Sequence, residues 1–269
     1  MSRGAADSVS ISTYETGPRP VIVLGIPSFG MVHLFFAARV FNLRMPMHRI
    51  VRHVYVVGKE VGDARNEIVA KALAMEEDDP SVRCSHVFFL DDDVLCHPDA
   101  LLKLLAHRRP LISGLYYSKS SVPTPLVLHG DYGGTATSWT PGEVVECVGH
   151  GMGLTLIEAE VFRRLRDETD LGTDVHGYPA WFATTRDEGL LTASGVPALF
   201  NQTEDMSFLS KARALGYQPA VDTSAQTFGW HLDTKTMTAY PAAQWHEFIK
   251  FGTVTWATNN GSVVWENAA

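Results

Sequence analysis

The stretch His86-Val87-Phe88-Phe89-Leu90-Asp91-Asp92-Asp93 decides the fold, because an apolar run too short for a helix ends abruptly in three carboxylates. Continuous apolar runs of this length mark strands buried on both faces of a largely parallel sheet. The carboxyl ends of such strands form the edge where open α/β sheets bind ligands. Alternate side chains of an extended segment share a side, so Asp91 and Asp93 are expected to face one ion while Asp92 faces elsewhere. Two carboxylates so placed repel unless a cation lies between them. Mg²⁺ or Mn²⁺ suits the position, since these hard cations take oxygen ligands and complete their shells with substrate phosphates. The plainer reading of the acidic run is a cap for the helix that follows it near Pro98 and Asp99.

Working outward, Val21 to Ile26 reads as the first strand, followed by a helix, and Val54 to Val57 as the second. Asp63 is placed to cap a helix carrying Ile68, Ala72 and Met75 on one side and ending in the acidic turn Glu76 to Pro80. Past the helix at Pro98, Leu111 to Tyr117 is a strand, and Ser118 to Gly142 is a loop rich in Ser, Pro and Gly that is suited to cover a site. Strands at Val144 to Val148 and Leu154 to Ile157 surround Gly149, Gly151 and Gly153, and a helix spans Glu158 to Arg166. After an irregular segment from Leu171 to Gln202, Thr203 caps a helix ending at Gly216, and a short strand ends at Asp222. Trp245 and Phe248 lie on a last helix, and Asn260-Gly261 between two apolar runs predicts a C-terminal hairpin. The alternation predicts an α/β chain with a Rossmann-like, mostly parallel central sheet and flanking helices. Residues 1–18 read as a disordered or extended tail and 19–269 as one domain, since neither a repeat nor a linker interrupts them.

Composition narrows the function. With 45% hydrophobic and 19% charged residues over 269 positions, the chain is an ordinary globular protein able to bury roughly three quarters of its unfolded surface. A net charge of −8 argues against general nucleic-acid binding. Cys84, Cys96 and Cys147 form no C-x-x-C pair and an odd set, which predicts free thiols in a reducing, cytoplasmic compartment and no zinc knuckle. The first ten residues lack a signal-peptide core, and the most apolar window, Val21 to Phe41, is interrupted by Pro27, Gly30, His33 and Arg39, so no membrane span is expected. Gly25 and Gly30 make no G-x-G-x-x-G, and neither a P-loop nor a G-x-S-x-G elbow occurs. Any phosphate would therefore be held by a metal and side chains.

Several segments together resemble the family 2-type glycosyltransferases of the GT-A fold. They are Val21 to Pro27, Ala64-Arg65-Asn66, Phe88 to Asp93 with its D-x-D, Gly151-Met152-Gly153, Thr203 to Phe208, and Val221-Asp222 leading to Gly229-Trp230-His231. The resemblance implies transfer of a sugar from a nucleotide-diphosphate sugar, a UDP-sugar first, with Mn²⁺ or Mg²⁺ as cofactor. It places Asp91, Asp93 and His231 at the metal, and Pro27, Ser28, Arg65, Asn66, Asp91 and Asp92 at the donor nucleotide. Asp205 becomes the candidate base that deprotonates the acceptor, with Glu204 supporting it. Gly151, Met152, Trp181 and Trp230 would line the acceptor site, the aromatics by stacking. Small stand-alone enzymes of this type occur in bacteriophages, where some glycosylate modified DNA bases, so a bacterial cell or phage-infected host is the implied setting and a saccharide or modified base the acceptor. Two rival readings attach to the same residues. A haloacid-dehalogenase-like phosphatase would use Asp91 as nucleophile, although Leu95 stands where that family carries Thr or Val and its motif belongs on the first strand. A non-enzymatic carbohydrate- or metal-binding module would use the aspartates without chemistry.

Overall fold

A computed structural model describes residues 17–120, 122–129, 134–135, 139–187, 200–233, 235, 238–240, 255–259 and 262–266. In chain order, β1 (Arg19–Ser28), α1 (Leu34–Asn42), β2 (Ile50–Val57), α2 (Val61–Asp78) and β3 (Val82–Leu90) open the fold. Next come β4 (Val94–Cys96), α3 (Ala100–Ala106), β5 (Leu111–Gly114), β6 (Val127–His129), β7 (Gly134–Thr135) and β8 (Val144–Glu146). β9 (Gly149–His150), β10 (Leu154–Glu158), α4 (Ala159–Glu168), β11 (Thr185–Asp187), β12 (Phe200–Gln202) and α5 (Glu204–Ala214) follow. The chain closes with β13 (Ala220–Asp222), β14 (Gly229–Asp233), β15 (Thr238–Tyr240), β16 (Thr255–Asn259) and β17 (Ser262–Glu266).

The central sheet has seven strands in the order β2-β1-β3-β10-β5-β13-β8. Strands β1, β2, β3, β5 and β13 point one way, and β10 and β8 run against their neighbours. The protein is therefore a mixed α/β fold with a mostly parallel central sheet. The continuous apolar runs are explained by burial on both faces. Ile22, Leu24 and Ile26 of β1 join Phe88 and Leu90 on the face covered by Phe36 of α1 and Leu101 and Leu104 of α3. Val21, Val23, Val87 and Phe89 point to the other face, under Ile68 and Ala72 of α2, Phe162 of α4 and Phe208 of α5.

Several boundaries differ from the sequence reading for physical reasons. The α2 helix begins before Asp63, because the Glu60 carboxylate accepts from the N–H groups of Gly62 and Asp63 and so caps it. Thr203 stands at the N-cap of α5, but its side chain makes no capping bond. Gly216, just past α5, adopts φ +89°, a conformation glycine enters without steric cost. The run Asp91 to Asp93 is not extended. Val94 N–H bonds the Asp91 carbonyl at 3.0 Å, making a turn into β4, and Leu232 N–H holds the Asp93 carbonyl at 2.7 Å. β16 and β17 pair antiparallel as the expected hairpin, with residues 260 and 261 outside the described residues. The tail 1–16 and the helix expected around Trp245 and Phe248 also lie outside them. Among the described residues, no helix is long and apolar enough to cross a membrane, and Cys84, Cys96 and Cys147 are buried free thiols.

Candidate functional site

Arg65 organises the carboxyl edge of the sheet. The Glu60 cap starts α2 early enough that Arg65 lies in its second turn, and the side chain is buried beneath the α5 N-terminus. A Cβ on Gly62 would stand 3.3 Å from Glu204 Cβ and 3.4 Å from the Phe182 carbonyl oxygen, so α2 packs close against the start of α5 here. One guanidinium nitrogen of Arg65 donates to both Asp91 carboxylate oxygens at 2.9 Å each. The other donates to Asp205 Oδ1 at 2.6 Å and Glu204 Oε1 at 3.1 Å. Residues far apart in sequence are thus gathered on one fork, as bidentate guanidinium recognition allows.

Three carboxylates around one guanidinium leave excess negative charge. Burial, opposed by Arg65, pushes the Asp91 carboxyl above its usual range. Burial likewise raises Asp205, again against Arg65, with Asp91 adding repulsion. Glu204 is raised by burial and by Asp205. Arg65 itself is held fully charged, since the three carboxylates outweigh the desolvation that opposes its charge. The second Asp205 oxygen accepts the Met152 N–H at 3.1 Å, which fixes the carboxylate against the Gly151 loop.

Asp92 turns away from this cluster. Burial raises its carboxyl, while the Ser28 hydroxyl and Phe29 N–H bond it at the end of β1. Asp93 occupies a third direction. The Lys119 ammonium bonds its Oδ2, and His231 Nε2 stands 3.5 Å from Oδ1. Burial works against the charged form of Asp93, but His231 and Lys119 prevail and hold its carboxyl below the usual range. His231 Nδ1 lies 2.9 Å from the Tyr117 carbonyl oxygen, which can only accept, so Nδ1 carries a proton and Nε2 is the ring nitrogen turned toward Asp93.

Metal fitness follows from this donor set. Among the described residues, no three His, Cys, Asp or Glu side chains are grouped as a ready-made cage. Asp93 and His231 are the two that converge, and Mg²⁺ or Mn²⁺ bound by one or two protein ligands ordinarily fills its remaining positions with water and phosphate. Asp91, Asp92, Asp93, Glu204 and Asp205 against Arg65 and Lys119 leave a formal surplus of negative charge that favours a divalent cation. The residues therefore fit the ion. The expected pairing of Asp91 with Asp93 on one ion is altered, because the turn separates them and Arg65 engages both Asp91 oxygens.

Several other expected site residues are engaged in packing or in hydrogen bonds to protein groups. Arg65 is a clamp for carboxylates rather than an exposed phosphate fork. Asn66 is buried, with its amide nitrogen donating to the Phe182 carbonyl at 2.9 Å and its oxygen accepting the Phe182 N–H at 2.8 Å, so it ties the segment around Phe182 to α2 and offers nothing to a nucleotide. Trp181 is a core residue, its indole N–H donating to the Phe162 carbonyl at 2.9 Å and its ring set edge-on to Phe162, which leaves no face for an acceptor. Trp230 is likewise buried, edge-on to Phe228. The Met152 side chain is buried, while its backbone N–H reaches the site. Pro27 is buried and Ser28 half-buried at the end of β1. Gly151 must be glycine, since a Cβ there would overlap the Tyr116 hydroxyl, and a Cβ on Gly153 would lie 2.7 Å from Asp91 Oδ2.

Two residues escaped the sequence reading. The Tyr116 hydroxyl accepts the Gly153 N–H at 2.9 Å, and its ring stands edge-on to His231 with centroids 5.4 Å apart. Burial, followed by Asp91 and Asp205, holds that hydroxyl protonated well above its ordinary range. Lys119 opens the loop after β5, and only its place just beyond an apolar run pointing at the same edge signals its role.

No protein-family model matches the chain. No curated protein matches it either. Among solved structures, the crystal structure of A197 from STIV aligns with a TM-score of 0.49 and 15% identity, covering 93% of this chain and 95% of that one. So loose a likeness supports no conclusion about chemistry.

Proposed function

We propose that the chain is a metal-dependent glycosyltransferase of the GT-A type, moving a sugar from a nucleotide-diphosphate sugar, a UDP-sugar first, to an acceptor hydroxyl. The observation that carries this reading is the Arg65 fork, which joins Asp91 of the D-x-D stretch to the Glu204-Asp205 pair at the carboxyl edge of the sheet. The acidic stretch and the acid pair of a transferase would have to meet in this way for donor and acceptor to react.

Asp93 and His231 would hold Mn²⁺ or Mg²⁺, with the donor nucleotide lying along Ser28 and Asp92 at the end of β1. A bound divalent ion would stabilise the negative charge on the departing diphosphate. Asp205 accepts the acceptor proton, and its burial-raised pKa makes it a stronger base than an exposed aspartate while Arg65 and Met152 N–H fix its orientation. Glu204 shares the fork and contributes charge beside it. Asp91 acts by positioning Arg65. The phosphatase reading fits less well, because the acidic run follows β3 rather than the first strand, where that family's motif belongs.

The test is release of nucleoside diphosphate from a panel of UDP- and GDP-sugars with Mn²⁺, beside turnover of an aryl phosphate. Metal-dependent diphosphate release that Asp93→Asn abolishes supports transfer. Turnover of the aryl phosphate alone, lost in Asp91→Asn, would replace this reading with the phosphatase.

A further inference from the structure

Past β5 the chain runs through Leu115, Tyr116 and Tyr117 into Ser118 and Lys119. This stretch reaches the site repeatedly. The Tyr116 hydroxyl accepts the Gly153 N–H, the Tyr117 carbonyl faces His231 Nδ1 at 2.9 Å, and the Lys119 ammonium bonds Asp93 Oδ2. Tyr116 and Tyr117 are buried, so the backbone that leads to Lys119 is anchored.

Beyond that anchor the turn is tied to itself. Ser118 N–H donates to the Thr124 carbonyl at 2.9 Å, Ser118 Oγ accepts the Thr124 N–H at 3.1 Å, and Ser120 Oγ donates to the Val122 carbonyl at 2.6 Å. Among the described residues, the Lys119 ammonium bonds Asp93 alone. An ammonium is a point charge with three donors on a flexible four-carbon stem. The Lys119 side chain is 30% exposed, so it can leave Asp93 for solvent without disturbing the core.

Asp93 thus has two claimants. Its Oδ1 faces His231 Nε2 at 3.5 Å, the pair proposed above to hold Mn²⁺ or Mg²⁺, while its Oδ2 bonds Lys119. A divalent ion on one oxygen and an ammonium on the other would share one carboxylate, close enough for their like charges to repel. Arg65 cannot play the same part, because it is buried and committed to Asp91, Glu204 and Asp205.

We propose that Lys119 gates the metal position, its ammonium holding Asp93 until a divalent ion displaces it. The inference rests on the transfer reading only in taking Asp93 and His231 as the metal ligands. The gate favours joint entry of ion and donor. Without a diphosphate the ammonium is displaced into water, and with one it gains a charge-assisted partner, so each ligand tightens the other.

The test is titration of the full chain with Mn²⁺, read by the paramagnetic resonance signal of the free ion, with and without UDP. Lys119→Met should bind Mn²⁺ alone at least about threefold more tightly than wild type, and Lys119→Arg, which keeps the charge, should stay near wild type. Lys119 is exposed, so both variants should melt with the wild type. The gain should vanish in the Lys119→Met, Asp93→Asn double variant, and UDP should tighten Mn²⁺ more in wild type than in Lys119→Met. Lys119→Met that binds Mn²⁺ no more tightly than wild type overturns the gate. So does a gain that survives in the double variant, which puts the ion elsewhere. A chain that turns over no nucleotide sugar, while the Lys119→Met gain remains, counts against the transfer reading and leaves the gate standing.

Discussion

Replacing Arg65 by Met keeps most of the side-chain volume but removes the cation that, among the described residues, bonds Asp91, Glu204 and Asp205. Removing one partner of a buried ion pair costs about 3–5 kcal/mol, because the remaining charge stays desolvated. Here three carboxylates are stranded on a fork that made bonds of 2.6, 2.9, 2.9 and 3.1 Å, so the upper part of that range applies at neutral pH. The sign of the pH dependence follows. Without Arg65 these carboxyls have folded pKa values raised further above their unfolded ones, so the variant binds more protons folded than unfolded. Its deficit is therefore largest above the raised folded values and shrinks as pH falls through them. Urea denaturation and thermal melts of wild type and variant at pH 7.5 and pH 5 read this directly, the melts with a loss in melting temperature on the order of 10 °C at the higher pH. Arg65→Lys, which keeps the charge but not the planar fork, should fall between the two. A variant as stable as wild type at both pH values, or a deficit that grows on acidification, would refute the clamp.

Asp205→Asn should reduce transfer by about two orders of magnitude or more while leaving nucleotide affinity nearly unchanged, as steady-state rates beside equilibrium binding would reveal; equal loss of both would make Asp205 a donor ligand or a structural residue. His150 is buried with its folded pKa pushed down to about 4 by desolvation, so the unfolded chain takes up a proton first and stability is lost as pH falls from the unfolded value toward 4. Relative to His150→Leu, wild type should then lose about 3 kcal/mol between pH 7 and pH 4 in urea titrations, and parallel curves would show that the ring is not buried neutral. Gly114→Ala would drive a Cβ into the Thr227 carbonyl oxygen and the Leu154 side chain, and should cost about 1–3 kcal/mol or more in a thermal melt, whereas an unchanged melt would contradict the packing of β5.

The parts of this fold that could be read in the sequence are those set by local burial. The strand ending at Leu90, the first strand and the helix after Thr203 announce themselves because each buries an apolar run or stripe, and the acidic run stands at the sheet's carboxyl edge as its position after β3 implied. What could not be read depends on distant partners. Arg65 in an early helical turn looks like a solvated side chain until Asp91 and Asp205, 26 and 140 residues away, are brought against it. β10 reads as another apolar strand, and nothing local tells that it inserts antiparallel between β3 and β5. The turn at Asp91 to Val94 arises because β14 pairs with β4, a non-local constraint that rotates Asp93 toward His231 and Lys119. Trp181 illustrates the opposite error, since an aromatic in an irregular segment resembles a ligand platform until Phe162 is seen to cover it.

The most direct test of the central claim is the melting temperature of wild type, Asp93→Asn and His231→Ala with UDP, GDP and their sugars, each with and without Mn²⁺. A ligand that binds only the folded chain at a hundred times its Kd adds about 2.7 kcal/mol. The account predicts a rise in wild type that needs both one nucleotide and Mn²⁺ and is lost in both variants. No rise with any pair, or the same rise in Asp93→Asn, would contradict it.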